Sequence, residues 1–281
     1  MSGSDFSRIS GEYDRRGLVQ KAASEKLFDE LAISGGEDVL DLGCGTGALT
    51  KRIRVQTKGR VTGLDPSAGM IHTARESCAG LDIRFIAAKG EELSFAGEFD
   101  VIFCNSAFQW FKDPAPTLAR CLKALRPGGR IGIQAPATSS YSPQMVEAVS
   151  KVAASPRTRN TFIGFENPWF FLEHTQAYER LFESAGFIIN GCSIERTVTS
   201  NTAEEAMGVF ESGAAAGYLN PTFYPGGFDV DYEEAFREIV MGHFVILAEA
   251  GGGRMELEFN RVYLLAGKPA ASVRPSAGKT S

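Results

Sequence analysis

Residues Val39–Gly47 read Val-Leu-Asp-Leu-Gly-Cys-Gly-Thr-Gly, and Gly63–Pro66 supply Gly-Leu-Asp-Pro one helix-length and one strand-length later. A short apolar run that ends in an acid, turns on glycines and enters a helical pattern describes a strand. That strand delivers its backbone to a ligand at a helix N-terminus. A second strand then ends in Asp65, at the separation from the turn where a carboxylate meets a ribose hydroxyl. Gly43, Gly45 and Gly47 act through their missing Cβ atoms, which permit close backbone approach and positive φ. The spacing departs from the dinucleotide fingerprint, because Gly47 follows Gly45 too closely and acidic Asp41 precedes the turn. An acid there suits a ligand bearing an ammonium or hydroxyls better than a pyrophosphate.

Around this motif, apolar runs alternate with helical patterns. The predicted strands are 37–42, 60–64, 83–87, 99–105 and 130–134, separated by helices over 48–57, 68–78 and 114–125. An amphipathic helix over 17–31 precedes them. Such alternation predicts a doubly wound α/β fold with a mostly parallel sheet and ligands at the carboxyl ends of the strands. After Pro136 the pattern changes. A small-residue loop leads into a helix over 144–154, then an aromatic-rich stretch with Phe162, Phe165, Trp169, Phe170 and Phe171. Helices over 175–184, 202–219 and 232–249 follow, with a sixth strand over 187–197. The stretch 254–266 alternates and then turns apolar, which suits an antiparallel terminal strand whose far end enters the core.

The expected organisation is an N-terminal arm and helix (1–30), a cofactor-binding core (31–138), a cap insertion (139–175), and completion of the core (176–268). A second helical insertion falls at about 202–228, and the proline-containing tail 269–281 reads as disordered. The arm carries Tyr13, a candidate to close over the bound ligand.

Formal charge is -5 at pH 7, which argues against a nucleic-acid partner, since backbone binding needs a basic field. No uninterrupted apolar stretch is long enough to span a membrane, and the first residues lack the pattern of a secretory signal. The five cysteines show no short paired spacing, so they read as reduced thiols in a cytoplasmic protein, without metal. The expected partner is a small-molecule acceptor. Oligomeric state is not legible.

The segment Val39–Gly47 with Asp65 resembles the first motif and second-strand acid of the class I S-adenosylmethionine-dependent methyltransferases. Phe99–Phe111 resembles their fourth-strand segment, and Leu125–Pro136 the turn into and body of the fifth strand. The Asn105, Gln109 and Trp110 constellation is similar to the trans-aconitate and malonyl-carrier-protein methyltransferases, as are Glu205–Pro221 and the run Phe259-Asn-Arg-Val-Tyr-Leu-Leu. The resemblance spans roughly residues 25–268. It implies a seven-stranded Rossmann-like sheet, S-adenosylmethionine as cofactor with S-adenosylhomocysteine as product, and methyl transfer to a carboxylate of a small or carrier-linked acid. One departure is Lys89, where the family usually places an Asp near the adenine amine; a lysine cannot accept that hydrogen bond.

On this basis Asp41, Gly43, Gly45, Gly47, Asp65, Pro66, Met70, Ala88, Glu91 and Asn105 are the expected cofactor contacts. Asp41 orients the loop or meets an ammonium, Asp65 takes the ribose hydroxyls, Met70, Ala88 and Glu91 face adenine, and Asn105 offers its carbonyl. Gln109 is expected to present an amide N–H to the acceptor and Trp110 a wall with one indole donor. Arg157, Arg159 and Arg261 are candidate cations, because a guanidinium grips a carboxylate bidentately. An ionised carboxylate needs no general base. Of the three histidines, His174 borders the aromatic stretch and is the candidate for a site role, while their wide separation weighs against a metal cluster.

Overall fold

The computed structural model describes residues 18–270, with side chains from residue 23 onward. Tyr13, the N-terminal arm and the end of the tail lie outside the described residues.

Helix α1 (Leu18–Leu31) precedes β1 (Val39–Leu42), α2 (Ala48–Gln56), β2 (Val61–Asp65), α3 (Ala68–Ser77) and β3 (Arg84–Ala87). Then come β4 (Phe99–Asn105), α4 (Pro114–Ala124) and β5 (Leu125–Pro136). Both β1 and β2 are buried at every residue, as strands covered on two faces should be. On one face Leu27, Phe28 and Leu31 of α1 cover Val101 and Phe103, with the Phe28 and Phe103 rings 4.7 Å apart. On the other, Leu118 and Cys121 of α4 pack against Ile102 and Cys104.

The chain continues through α5 (Pro143–Ala154), α6 (Arg159–Phe162), α7 (Thr175–Ser184) and β6 (Ile188–Asn201). It ends in α8 (Ala203–Ser212), α9 (Ala215–Tyr218), α10 (Val230–Ala250) and β7 (Met255–Gly267). The sheet has seven strands in the order β3-β2-β1-β4-β5-β7-β6, and β7 runs antiparallel to both β5 and β6. The expected doubly wound fold with an antiparallel terminal strand is thus the observed one.

A separate apolar cluster joins α5, α8, α10 and the first half of β7 through Met145, Val149, Phe210, Phe236, Phe244, Leu257 and Phe259. Fully burying Phe210, Phe236 and Phe244 is worth about 1.5–3 kcal/mol apiece. This cluster forms the cap, and β7 runs from it into the sheet core.

Three elements differ from the sequence expectation. The helix expected over 202–219 breaks at Gly213, whose φ of -138° and ψ of -80° are not helical, giving α8 and α9. The break brings Gly217 against Trp169, where a Cβ would lie 2.1 Å from the indole Cζ2. Strand β5 begins before the Pro127-Gly128-Gly129 turn, because Phe99 pairs with Leu125 and pairing resumes at Val101 with Arg130. The turn is therefore a bulge inside the strand. Strand β6 extends to Asn201, paired along its length by β7.

Candidate functional site

The carboxyl ends of β1, β2 and β4 converge on one edge of the sheet. Gly43 and Cys44 both donate backbone N–H groups to the Leu64 carbonyl, at 2.7 and 3.0 Å, so the glycine turn is fastened to β2. Gly43 has φ +80°, and a Cβ there would lie 2.3 Å from Ala107 Cβ. Gly45 has φ +52° and no described residue within 4 Å of its would-be Cβ, so among the described residues the turn is packed on one side and open on the other.

Asp65 closes β2. Its Oδ2 accepts from Gly45 N at 3.0 Å and its Oδ1 from Ser67 N at 2.9 Å. Burial raises its pKa, and the Ser67 and Gly45 N–H groups oppose that rise. Asp41 is buried on β1, its Oδ2 accepting from Thr50 Oγ1 at 2.6 Å. Burial pushes its carboxyl up to about 7, Thr50 pulls it down, and Asp65 adds to the rise. The folded state therefore holds this proton more tightly than the unfolded chain. Asp41 subtracts stability as pH rises from about 4, the ordinary value, to about 7.

The other expected cofactor contacts fall around this turn. Pro66 is exposed directly after Asp65, while Met70 is buried in the first turn of α3, its N–H capped by Ser67 Oγ at 3.2 Å. Ala88 donates its N–H to the Asp65 carbonyl at 3.1 Å. Glu91 is exposed, and Lys89 Nζ stands 3.9 Å from its Oε1. Since the lysine is only half-buried and its ammonium is directed to that acid, Lys89→Ala should change donor affinity by no more than about 0.5 kcal/mol in a calorimetric titration. A tenfold loss would place the ammonium on the ligand instead.

Asn105 ends β4, and the next residue, Ser106, has φ +53°. Ser106 N donates to the Gln134 carbonyl at 2.7 Å. The buried Gln134 amide, turned so that its groups match, donates to Ser106 Oγ at 3.1 Å and Asn105 Oδ1 at 3.0 Å. In that orientation its oxygen accepts from Arg261 Nη1 at 2.8 Å. Arg261 is 5% exposed, and its guanidinium lies 5.5 Å from the Phe259 ring, a member of the cap cluster. The arginine thus stands where cap and sheet meet. Arg157, by contrast, pairs with Glu238 at 2.7 Å on the exposed side of the cap, and Arg159 is exposed.

Gln109 Nε2 donates to the Ser106 carbonyl at 2.9 Å, while its Oε1 is buried with no hydrogen-bond partner among the described residues. The amide therefore presents an oxygen rather than the expected N–H. Phe170 N donates to the Gln109 carbonyl at 2.8 Å, which brings the aromatic stretch over this turn. Trp110 meets Trp169 at 5.7 Å, and Trp169 meets Tyr141 at 6.2 Å and Tyr218 at 4.8 Å. His174 is exposed at the start of α7. Gln134, Tyr141, Thr50 and Ser67 were not singled out in the sequence, although Gln134 is a lone polar side chain in an otherwise apolar strand run. Among the described residues no group of three or more His, Cys, Asp or Glu could hold a metal ion. No helix among them is long and apolar enough to cross a membrane.

A family pattern described as a methyltransferase domain matches residues 39–129, the stretch from β1 to the β5 bulge. An uncharacterized methyltransferase of Schizosaccharomyces pombe is 30% identical over 185 residues, covering 63% of this chain and 68% of that protein. The chain belongs to the methyltransferases. A malonyl-[acyl-carrier protein] O-methyltransferase of Acetivibrio thermocellus is 34% identical to this methyltransferase over 127 residues, 44% of this chain and 45% of that one. The match thus spans less than half of that relative's length. The crystal structure of a geranyl diphosphate C-methyltransferase from Streptomyces coelicolor superposes with a TM-score of 0.52 at 16% identity. It covers 89% of this chain and 79% of that one, a likeness of fold alone.

The cofactor of this methyltransferase is S-adenosylmethionine. The residues present fit it. The open side of Gly45 leaves room for a ligand, and Asp65 at the end of β2 stands beside it as an anionic acceptor for paired hydroxyls. Asp41, buried on β1 just before the turn, adds a second carboxyl near it.

Proposed function

We propose that this methyltransferase transfers a methyl group to a carboxylate oxygen of a small organic or acyl-linked acid in the cytoplasm. The observation that carries this is Arg261, a buried cation held by Gln134 at the junction of cap and sheet, beside the β4 end. Similarity to the malonyl-[acyl-carrier protein] O-methyltransferases supports an acid as acceptor. The five free cysteines suit a reducing compartment.

When bound, S-adenosylmethionine supplies a methyl group activated by a sulfonium charge and open to in-line displacement. The chain's residues have the task of aligning two ligands and excluding water. Asp65 and the Gly43–Gly47 turn bind the donor. Asn105 and Ser106, clamped by Gln134, set the floor between donor and acceptor. Arg261 balances the acceptor's charge, Gln109 orients it, and Trp110 with Trp169 walls it.

An ionised acid is already nucleophilic, so with donor saturating the acceptor's own ionisation should lower the rate as pH drops through its pKa, about 4–5 for a simple carboxyl. Gln109→Ala should lower acceptor turnover far more than donor affinity. Small acids assayed beside phenols, alcohols and amines, with the methylated atom assigned by NMR, test the reading. Methylation only at nitrogen, carbon or a hydroxyl would establish the alternative, a metabolite methyltransferase of another acceptor class, and discard the carboxylate.

A further inference from the structure

Among the described residues, three buried polar atoms in this part of the fold have no hydrogen-bond partner: Gln109 Oε1, Thr138 Oγ1 and Ser142 Oγ. They gather on the segment that follows β5 and on the turn that follows β4. Residues 169–172 hold the two together, because Phe170 N bonds the Gln109 carbonyl and Thr138 N bonds the Leu172 carbonyl at 3.3 Å. Tyr141 itself stacks on Phe171 at 5.5 Å and contacts Trp169. Its backbone is pinned by Asn260, the neighbour of Arg261, whose N–H donates to the Tyr141 carbonyl at 2.8 Å. Burial raises the Tyr141 pKa, and its hydroxyl is engaged by a hydrogen bond to that of Tyr218, which raises it further. Ser142 precedes α5 at the N-cap position without capping it.

Leaving a buried polar group unpaired is costly, so three on these joined segments mark groups kept for a ligand. Their chemistry differs. The two hydroxyls can donate to a carboxylate. Gln109 Oε1 can only accept, and its Nε2 contact with the Ser106 carbonyl fixes that orientation. A carboxylate offers this oxygen nothing. We propose that the acceptor acid carries a hydrogen-bond donor of its own, a hydroxyl or amide N–H, received by Gln109 Oε1. The rest of its body is apolar and lies against Trp110, Tyr141 and Trp169. Thr138 and Ser142 are the specificity-determining donors to its oxygen atoms.

The inference rests on the carboxylate reading, and matched ligands separate the two. The full chain, loaded with S-adenosylhomocysteine, is titrated with cinnamate, its three ring-hydroxylated isomers and their methyl ethers, and with the hydroxylated cinnamamides. At least one hydroxy acid should bind roughly 10–100-fold more tightly than cinnamate and its own ether, and Gln109→Leu should erase that preference. Equal affinities within the acid series, or binding by none, overturns the inference. Retention of the preference by the amides preserves the inference and removes the carboxylate reading. A second check is Ser142→Ala. Removing an unpaired hydroxyl should leave the melting temperature unchanged or raised while weakening ligand binding, whereas a lowered melting temperature would make the hydroxyl structural and overturn its role.

Discussion

Replacing Asp65 with alanine lowers the affinity for S-adenosylmethionine by roughly 10²- to 10⁴-fold. Two hydrogen bonds to a charged acceptor are lost, each worth about 1.5–3 kcal/mol before water compensates. The same carboxylate also holds Gly45 N and Ser67 N, so the turn loses its anchor as the ligand loses its partner. Asp65→Asn keeps an acceptor but removes the charge, and should fall between wild type and alanine. Titration calorimetry against S-adenosylmethionine and NAD measures both. Unchanged affinity in the alanine variant, or tighter binding of NAD to the wild type, would sink the assignment of this pocket.

A methyl group at Gly43 should cost about 2–5 kcal/mol of folding free energy. The left-handed backbone charges about 1–2 kcal/mol to a residue with a Cβ, and overpacking adds about 1–3 kcal/mol. Here the added atom would stand 2.3 Å from Ala107 Cβ, so the turn bearing Gln109 and Trp110 must move. Gly45→Ala is the contrast. It carries the conformational cost alone, since no described residue lies within 4 Å, and should instead block the ligand side of the turn. Urea denaturation and donor titration of both variants decide the matter, and equal loss of stability in the two would show that the close approach to Ala107 is not rigid.

The strands were legible because their burial is written in composition. β1, β2 and β4 are short apolar runs closed by Asp41-Leu42, Asp65 and Asn105, and a covered parallel strand leaves few other choices. The donor half of the site was legible for the same reason, since a strand end, glycines and an acid lie close together in sequence. The acceptor half was not. Gln109, Tyr141 and Trp169 meet only through the fold, and no local spacing foretells that Gly217 will receive the Trp169 ring. The break at Gly213 was missed because 202–219 has helical apolar spacing throughout, and tertiary contact overrides it. Of the three arginines, burial separated Arg261 from Arg157, and burial of a single side chain cannot be read from its neighbours in sequence.

The placement of β7 between β5 and β6 gives the two halves of the site different birthdays during synthesis. Every residue of the donor turn, from Asp41 to the β4 end, lies before Pro136, and the five parallel strands can associate as soon as that residue has emerged. Arg261 and Phe259 arrive more than a hundred residues later, on the strand that inserts last beside β5. At elongation rates of about 5–20 residues per second, the nascent chain has seconds in which a donor pocket exists without its acceptor chamber. The exposed β5 edge waits through that interval for β7. A chain stalled there would carry an unpaired strand edge, the kind that invites pairing with a neighbour.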